Sequence, residues 1–175
     1  MVGLREISSN LLNRKRVDLV IKLIPTTREN WKEALALKVQ SHQTHYVPIV
    51  AVSLAKVHVR PDGDEYEYLP FCLYNTENCL VGFVMIAVDP TTTWSYWMNG
   101  FLIDRSYQGK GYGKAAIDSV IRYIKGNYPH SKCLNLTVCP DNKTARKLYE
   151  KVGFFETGEV YDNEIVYRYV FKMDG

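Results

Sequence analysis

The chain lacks the features that would assign it to a membrane, a metal or a nucleic acid. It has no apolar run of the roughly 18 or more residues that a membrane-spanning helix needs. Its four cysteines, Cys72, Cys79, Cys133 and Cys139, show no CxxC spacing and no neighbouring histidine cluster. They read as reduced thiols, not as a disulfide or zinc framework. His42, His45, His58 and His130 also lack ligand spacing, so no metal is expected. The 22 basic and 19 acidic residues leave a net charge of only +3, with no long basic run. Nucleic acid is therefore not an expected partner, and neither is a membrane. No signal-peptide pattern, internal repeat or low-complexity tract interrupts the chain, which reads as soluble and cytoplasmic.

What remains is an ordinary globular composition over 175 residues, 46% apolar and 23% charged. That length predicts one domain with a sizeable core. Residues 1–19 are polar and mixed, with a basic Arg14-Lys15-Arg16 cluster. They form a leader, disordered or docked, ahead of a single domain over 20–175. Val20 to Ile24 reads as a first strand stopped by Pro25. A helix capped by Thr26 or Thr27 follows, with Trp31, Ala34, Leu35, Leu37 and Val39 as its apolar side. Pro48 to Val59 is a second helix candidate, although its β-branched residues also suit a strand. Glu65 to Tyr74 and Leu80 to Val88 form a hairpin about the loop 75–79. Trp94 to Ile103 is the next strand.

After that strand comes Gln108-Gly109-Lys110-Gly111-Tyr112-Gly113-Lys114. Then Gly113, Ala116, Ile117, Val120, Ile121 and Ile124 recur along one helical face. Leu134, Leu136 and Val138 alternate with Asn135, Thr137 and Cys139, the pattern of a half-buried strand. Asn142 opens a short helix with Ala145, Leu148, Tyr149 and Val152 on one side, and Gly153 ends it. A hairpin turning at Asp162-Asn163 closes the chain. The order is β-α-α-β-β-β-α-β-α-β-β, an α/β domain whose sheet is mostly antiparallel. The unit over 97–138 requires one parallel, right-handed crossover.

Strand, glycine turn and helix together leave free N–H groups at a positive dipole end, where an anion can sit. The turn is not a Walker loop, because Gln108 and Ala115 occupy the positions that need Gly and Ser or Thr. Nor is it a dinucleotide fingerprint, since the third glycine would fall on Lys114. A pyrophosphate-binding turn and a ligand-free corner both remain open on these residues alone.

Two further patterns resolve that choice. Gln108-x-x-Gly111-x-Gly113 resembles the Q/R-x-x-G-x-G/A signature of the GCN5-related N-acetyltransferase (GNAT) superfamily. Asn142-x-x-Ala145-x-x-Leu148-Tyr149-Glu150-Lys151-x-Gly153-Phe154 is similar to that family's second conserved segment. The resemblance covers about residues 20–172. Tyr46-Val47, Ser53-Leu54, Phe71 to Tyr74, Val81 to Met85 and Ile103 to Ala116 further resemble bacterial spermine/spermidine (diamine) N-acetyltransferases.

The resemblance implies the GNAT fold: a mixed sheet of about six to seven strands, a splayed central parallel pair and about four flanking helices. It implies acetyl-CoA as co-substrate and direct transfer of acetyl to a primary amine of a small polyamine. A peptide α-amine or an aminoglycoside is the alternative acceptor, and a non-catalytic acyl-CoA sensor the alternative function. Such enzymes are often homodimers. Gly109, Lys110, Gly111, Tyr112, Gly113 and Lys114 would hold the pyrophosphate, with Gln108 at the head of the turn. Phe101, Leu102 and Ile103 would pair with pantetheine, and Asn142 and Lys151 would also reach the cofactor. Tyr149 occupies the position of the general acid. Related polyamine enzymes carry a carboxylate where this chain has Asn99, and an amide cannot serve as a base. Glu67 is the substitute expected here, with Glu65 and Asp104 as other carboxylates and a water chain as a further route. Glu65, Trp97 and Asn99 are the expected acceptor contacts.

Overall fold

The computed structural model describes residues 19–172; the expectation for the leader, residues 1–18, lies outside the described residues. The elements run β1 (Lys22–Pro25), α1 (Trp31–Ala36), a 3₁₀ turn (Ser41–Gln43), α2 (Val50–Val59), β2 (Glu67–Tyr74), β3 (Leu80–Val88) and β4 (Tyr96–Ile103). They continue through α3 (Tyr112–Asn127), β5 (Cys133–Val138), α4 (Lys143–Val152), β6 (Phe155–Tyr161) and β7 (Glu164–Val170). This is the element order read from the sequence. The seven strands form one sheet in the order β1-β2-β3-β4-β5-β7-β6. Every neighbouring pair is antiparallel except β4 and β5.

Helices cover both faces, so the central strands are buried on both sides. The α3/α4 face packs Tyr96, Met98, Ile117, Leu134, Leu136 and Tyr167 into one core. The α1/α2 face packs Ala34, Val50, Phe83, Met85 and Leu102 into a second. Burying a side chain of this size stabilises by about 1.5–3 kcal/mol, and β3 contributes to both layers at once.

Three expectations are corrected. The first helix is only Trp31–Ala36, and its N-cap is Asn30, not a threonine. Asn30 Oδ1 accepts from the Thr27 N–H, and its Nδ2 donates to the Pro25 carbonyl. The buried amide therefore fixes the β1–α1 corner and leaves Trp31 and Leu35 about two-fifths exposed. The second helix begins at Val50, not Pro48, and stops where Arg60 takes a left-handed conformation (φ 51°). β5 is not half-buried, because Asn135 on its polar side is completely enclosed.

Asn135 controls how the sheet opens. β4 and β5 share one register pair, Trp97 with Asn135. The Asn135 side chain reinforces it, with Nδ2 donating to the Trp94 carbonyl at 2.8 Å and the Tyr96 carbonyl at 3.2 Å. Its Oδ1 accepts from Arg168 Nε on β7 at 2.8 Å. Beyond that point the two strands separate.

On the other side of β4 the register against β3 slips. Two steps along β3, from Phe83 to Met85, face three along β4, from Leu102 to Asn99. The extra residue is a bulge, which reverses the alternation of faces. Tyr96 and Met98 face the α3 core, whereas Leu102 faces the α2 core. Gly100 sits in the bulge at φ 55°, and a Cβ there would lie 2.4 Å from Ser53 Oγ of α2. Only glycine fits both demands.

Two substitutions test this frame by urea unfolding. Asn135→Ala strips the Arg168 guanidinium and two carbonyls of a buried partner, and about 3 kcal/mol of stability should be lost. Gly100→Ala should lose about 2 kcal/mol, from left-handed strain and the displaced Ser53.

Candidate active site

Where β4 and β5 part, a cavity of about 1130 Å³ opens between them. Phe101 to Ile103 line one wall, Thr137 to Cys139 the opposite wall, and Tyr149 of α4 the floor. Leu102 and Ile103 are register-paired with Phe83 and Gly82 on the β3 side, but pair with nothing on β5. That edge of β4 is a strand edge open to another extended molecule.

The glycine turn forms the rim. Gly109 and Gly111 have φ of 73° and 90°, and Gly111 is the N-cap of α3 with no side-chain cap. The first backbone bond into α3 runs from the Ala115 N–H to the Gly111 carbonyl. The N–H groups of residues 109–114 find no hydrogen-bond partner among the described residues. They converge on a helix N-terminus sixteen residues long, a site suited to phosphate oxygens.

The expected cofactor residues divide by what their side chains do. Gln108 Nε2 donates to the Ile103 carbonyl at 3.0 Å and to Gln43 Oε1 at 2.9 Å, so this amide ties the turn to β4. Lys110 Nζ donates to the Ser106 carbonyl and lies over the Tyr107 ring. Lys110 and Tyr112 do not line the cavity; the Tyr112 hydroxyl accepts from Asn75 Nδ2. Lys114 and Lys151 line it, although Lys114 is already paired with Asp118 at 2.6 Å. Asn142 lines the cavity and caps α4, accepting from the Ala145 N–H at 3.2 Å.

Tyr149 is 8% exposed, and its hydroxyl makes no hydrogen bond to another described residue. Burial pushes its pKa well above the usual phenol range, and the Glu164 charge adds to the shift. The phenol stays protonated at neutral pH, with its O–H free to donate into the cavity.

A second cavity, of about 580 Å³, lies on the α2 side of the same sheet. Trp97 and Asn99 line it with Lys56, Tyr66, Tyr161 and Glu164. Thr137 lines both cavities. The gap between β4 and β5 is thus approached from both faces.

Glu67 and Glu65 line neither cavity. The Glu67 carboxylate accepts from the Tyr128 hydroxyl at 3.3 Å, because strand alternation turns it to the α3 face while Tyr68 faces α2. The Glu65 carboxylate folds over Gly63. Asp104 accepts from the Lys38 and Ser106 N–H groups, both at 2.9 Å. Burial alone would raise its pKa, but these donors hold it below the usual carboxylate range, and it serves the turn.

Sequence reading missed Gln43, Tyr46, Cys139 and Glu164. Tyr46 had been noted only for resemblance; its hydroxyl donates to Asp141 at 3.3 Å across the cavity mouth. Among the described residues no helix is long and apolar enough to cross a membrane, and no three metal-ligating side chains gather.

A model of the Acetyltransferase (GNAT) family matches residues 31–154. The chain is 32% identical over 146 residues to a Bacillus subtilis (strain 168) protein named spermine/spermidine N(1)-acetyltransferase, covering 80% of this chain and 91% of that one. A Bacillus subtilis subsp. natto protein named probable spermine N(1)-acetyltransferase matches to the same extent. Among solved structures, spermidine N-acetyltransferase from Vibrio cholerae, in complex with CoA and spermine, overlays with a TM-score of 0.65 at 17% identity. That match covers 86% of this chain and 95% of the other. The aminoglycoside acetyltransferase AAC(6')-Ib, in complex with coenzyme A, gives 0.66 at 15% identity over 86% and 94%. At such identities the overlays show the fold alone. With the family match spanning the open β4 edge, the glycine turn and the Tyr149 segment, the chain belongs to the GNAT family of acetyltransferases.

Proposed function

We propose that the protein transfers acetyl from acetyl-CoA to a primary amine of a small polyamine, of the spermidine and spermine class. The observation that carries the donor half is the wedge between β4 and β5, rimmed by unpartnered N–H groups. The acceptor half is supported by the 32% identity to a protein named spermine/spermidine N(1)-acetyltransferase, over most of both chains.

The cavity suits the donor in shape and in chemistry. Its volume of about 1130 Å³ lies just above the roughly 300–1,000 Å³ typical of small-molecule sites, as suits a long co-substrate. The rim offers N–H groups to the two phosphates of the pyrophosphate, and Lys151 offers a cation nearby. The open edge at Phe101 to Ile103 offers main-chain donors and acceptors to an amide-bearing arm such as pantetheine. When bound, acetyl-CoA supplies an activated thioester; the protein positions it and manages charge.

Two charges need management. A negative charge develops on the thioester oxygen as the amine attacks, and an N–H of the 101–103 edge is the donor available to it. Negative charge then passes to sulfur as the C–S bond breaks. Tyr149 donates its proton there. Its phenol, raised by burial, is protonated before the step; because the thiol formed has an ordinary pKa of about 8.5, Tyr149 acts first by hydrogen-bonding the developing thiolate, and the proton follows as the phenolate is reprotonated.

Tyr149→Phe keeps the ring and removes the proton. Turnover should fall about 100-fold, the size of a lost general acid, while acetyl-CoA affinity by calorimetry changes less than about twofold. Unchanged turnover would remove Tyr149 from the chemistry. An amine panel followed by thiol release tests the acceptor. Spermidine and spermine should exceed peptide α-amines and aminoglycosides in kcat/KM by at least about 10-fold, roughly 1.4 kcal/mol of discrimination. Preference for an aminoglycoside would replace the polyamine assignment, and tight acetyl-CoA binding without turnover on any amine would indicate a sensor.

A further inference from the structure

The chain has no carboxylate at position 99, and the carboxylates nearby in sequence point elsewhere. One carboxylate does stand at the junction of the two cavities. Glu164, the first residue of β7, lines the α2-side cavity. Its Oε2 accepts from the Thr137 hydroxyl, and its Oε1 accepts from Cys139 Sγ at 3.1 Å. Both donors line the donor cavity. Glu164 is also close enough to Tyr149 for its charge to add to the upward shift that burial gives that phenol. A single carboxylate therefore stands against the β5 wall of the opening and also lines the α2-side cavity.

Resting on the acetyl-transfer reading above, we propose that Glu164 is the residue that binds the incoming amine and takes its proton. The acceptor would enter through the α2-side cavity. An ionised carboxylate has about four lone-pair sites, and the two donors present occupy two of them. The rest are available to an ammonium group.

Its charged surroundings are mixed. Lys56 of α2 is the one cation lining that cavity, and Asp62 and Asp162 are its other carboxylates. Asp62 already accepts from the Tyr68 hydroxyl at 2.6 Å. Tyr66 and Tyr161 face the same space, with the Tyr66 hydroxyl bonded to Ser95 Oγ. On the β5 side Cys139 is held as a thiol, its pKa pushed up to about 11 by burial and by Glu164 itself. It therefore stays a donor to Glu164 across neutral pH. Trp97 adds an aromatic face on which an alkylammonium chain can lie.

The proton count closes. The bound ammonium first gives one proton to Glu164, which releases it to solvent; the freed nitrogen lone pair then attacks the thioester carbon, the N–C bond forms and the C–S bond breaks. As its lone pair enters the new bond the nitrogen becomes acidic, and a further N–H proton passes to Glu164. The sulfur receives the Tyr149 proton, and Glu164 then returns a proton to solvent or, through the cavity, to the phenolate.

The test is Glu164→Gln in the full chain, with spermidine and acetyl-CoA, read as kcat against pH. Wild type should reach a plateau near neutral pH. The variant should lose about 100-fold near pH 7 and climb without a plateau toward pH 10, following the neutral amine. Acetyl-CoA affinity and thermal unfolding of the variant should match wild type, which separates lost chemistry from lost fold. Should the variant unfold, Glu164→Asp replaces it and should fall at least 10-fold while keeping the plateau. Wild-type rate and profile in Glu164→Gln, or in a folded Glu164→Asp, overturn the role of Glu164 and leave acetyl transfer standing. A wild-type protein that binds acetyl-CoA but acetylates no amine overturns both readings.

Discussion

The site depends on one buried amide. Asn135 carries the single β4–β5 register pair in its backbone and holds two β4-end carbonyls with its side chain. Two parallel strands in the middle of a sheet would ordinarily continue to pair, and the gap between them would close. Here the pairing is concentrated at the Trp94–Trp97 end, so the strands are fixed in place yet free to diverge beyond it. Arg168 completes the arrangement, since a buried side-chain oxygen needs a donor as much as the nitrogen needs an acceptor.

Divergence alone would expose an unsatisfied strand edge in the interior of the domain. The bulge at Gly100 makes it a usable one. By adding a residue to β4, it turns Leu102 into the α2 core and Ile103 toward α3, so both stay packed. The polar groups that ladder pairing would have consumed face the cavity instead. The same divergence opens the α2 side, which is why Thr137 borders both cavities. One irregularity in the strand thus accompanies two cavities that share Thr137.

Much of this frame was legible in sequence because it is written in local patterns. The uninterrupted run Leu80–Val88 marked β3, the i, i+3, i+4 face marked α3, and Asn142 and Gly153 marked both ends of α4. The glycine turn was legible too, since free N–H groups at a helix start follow from local backbone alone. The misses share a different cause. Trp31 and Leu35 have the spacing of a buried face, but the buried Asn30 amide shortens and reorients α1, and spacing carries no information about that. Glu67 was chosen by proximity along the chain, whereas its direction is set by strand parity and its partner is Tyr128, 61 residues away. Asn135 looked like the polar side of a half-buried strand because its partners, Trp94, Tyr96 and Arg168, are distant in sequence.

Glu164 was hidden for a related reason, and its placement shows what strand pairing can decide. β6 and β7 are joined by the two residues Asp162 and Asn163, both with positive φ (47° and 65°), the geometry of a tight primed hairpin. On its other side β7 pairs with β5, where Val138 faces Ile165 and Thr137 faces Val166. Side chains of alternate residues then divide between the faces. Tyr167 enters the α3 core, while Glu164 turns to the opposite side, beside Thr137 and Cys139. A slip of one residue between β7 and β5 would move every β7 side chain to the other face. The carboxylate would then enter the apolar layer occupied by Leu136 and Tyr167, where an unpaired charge is strongly disfavoured. The pairing of β7 with β5, and not any motif around the glycine turn, therefore determines that a carboxylate stands beside Thr137 and Cys139.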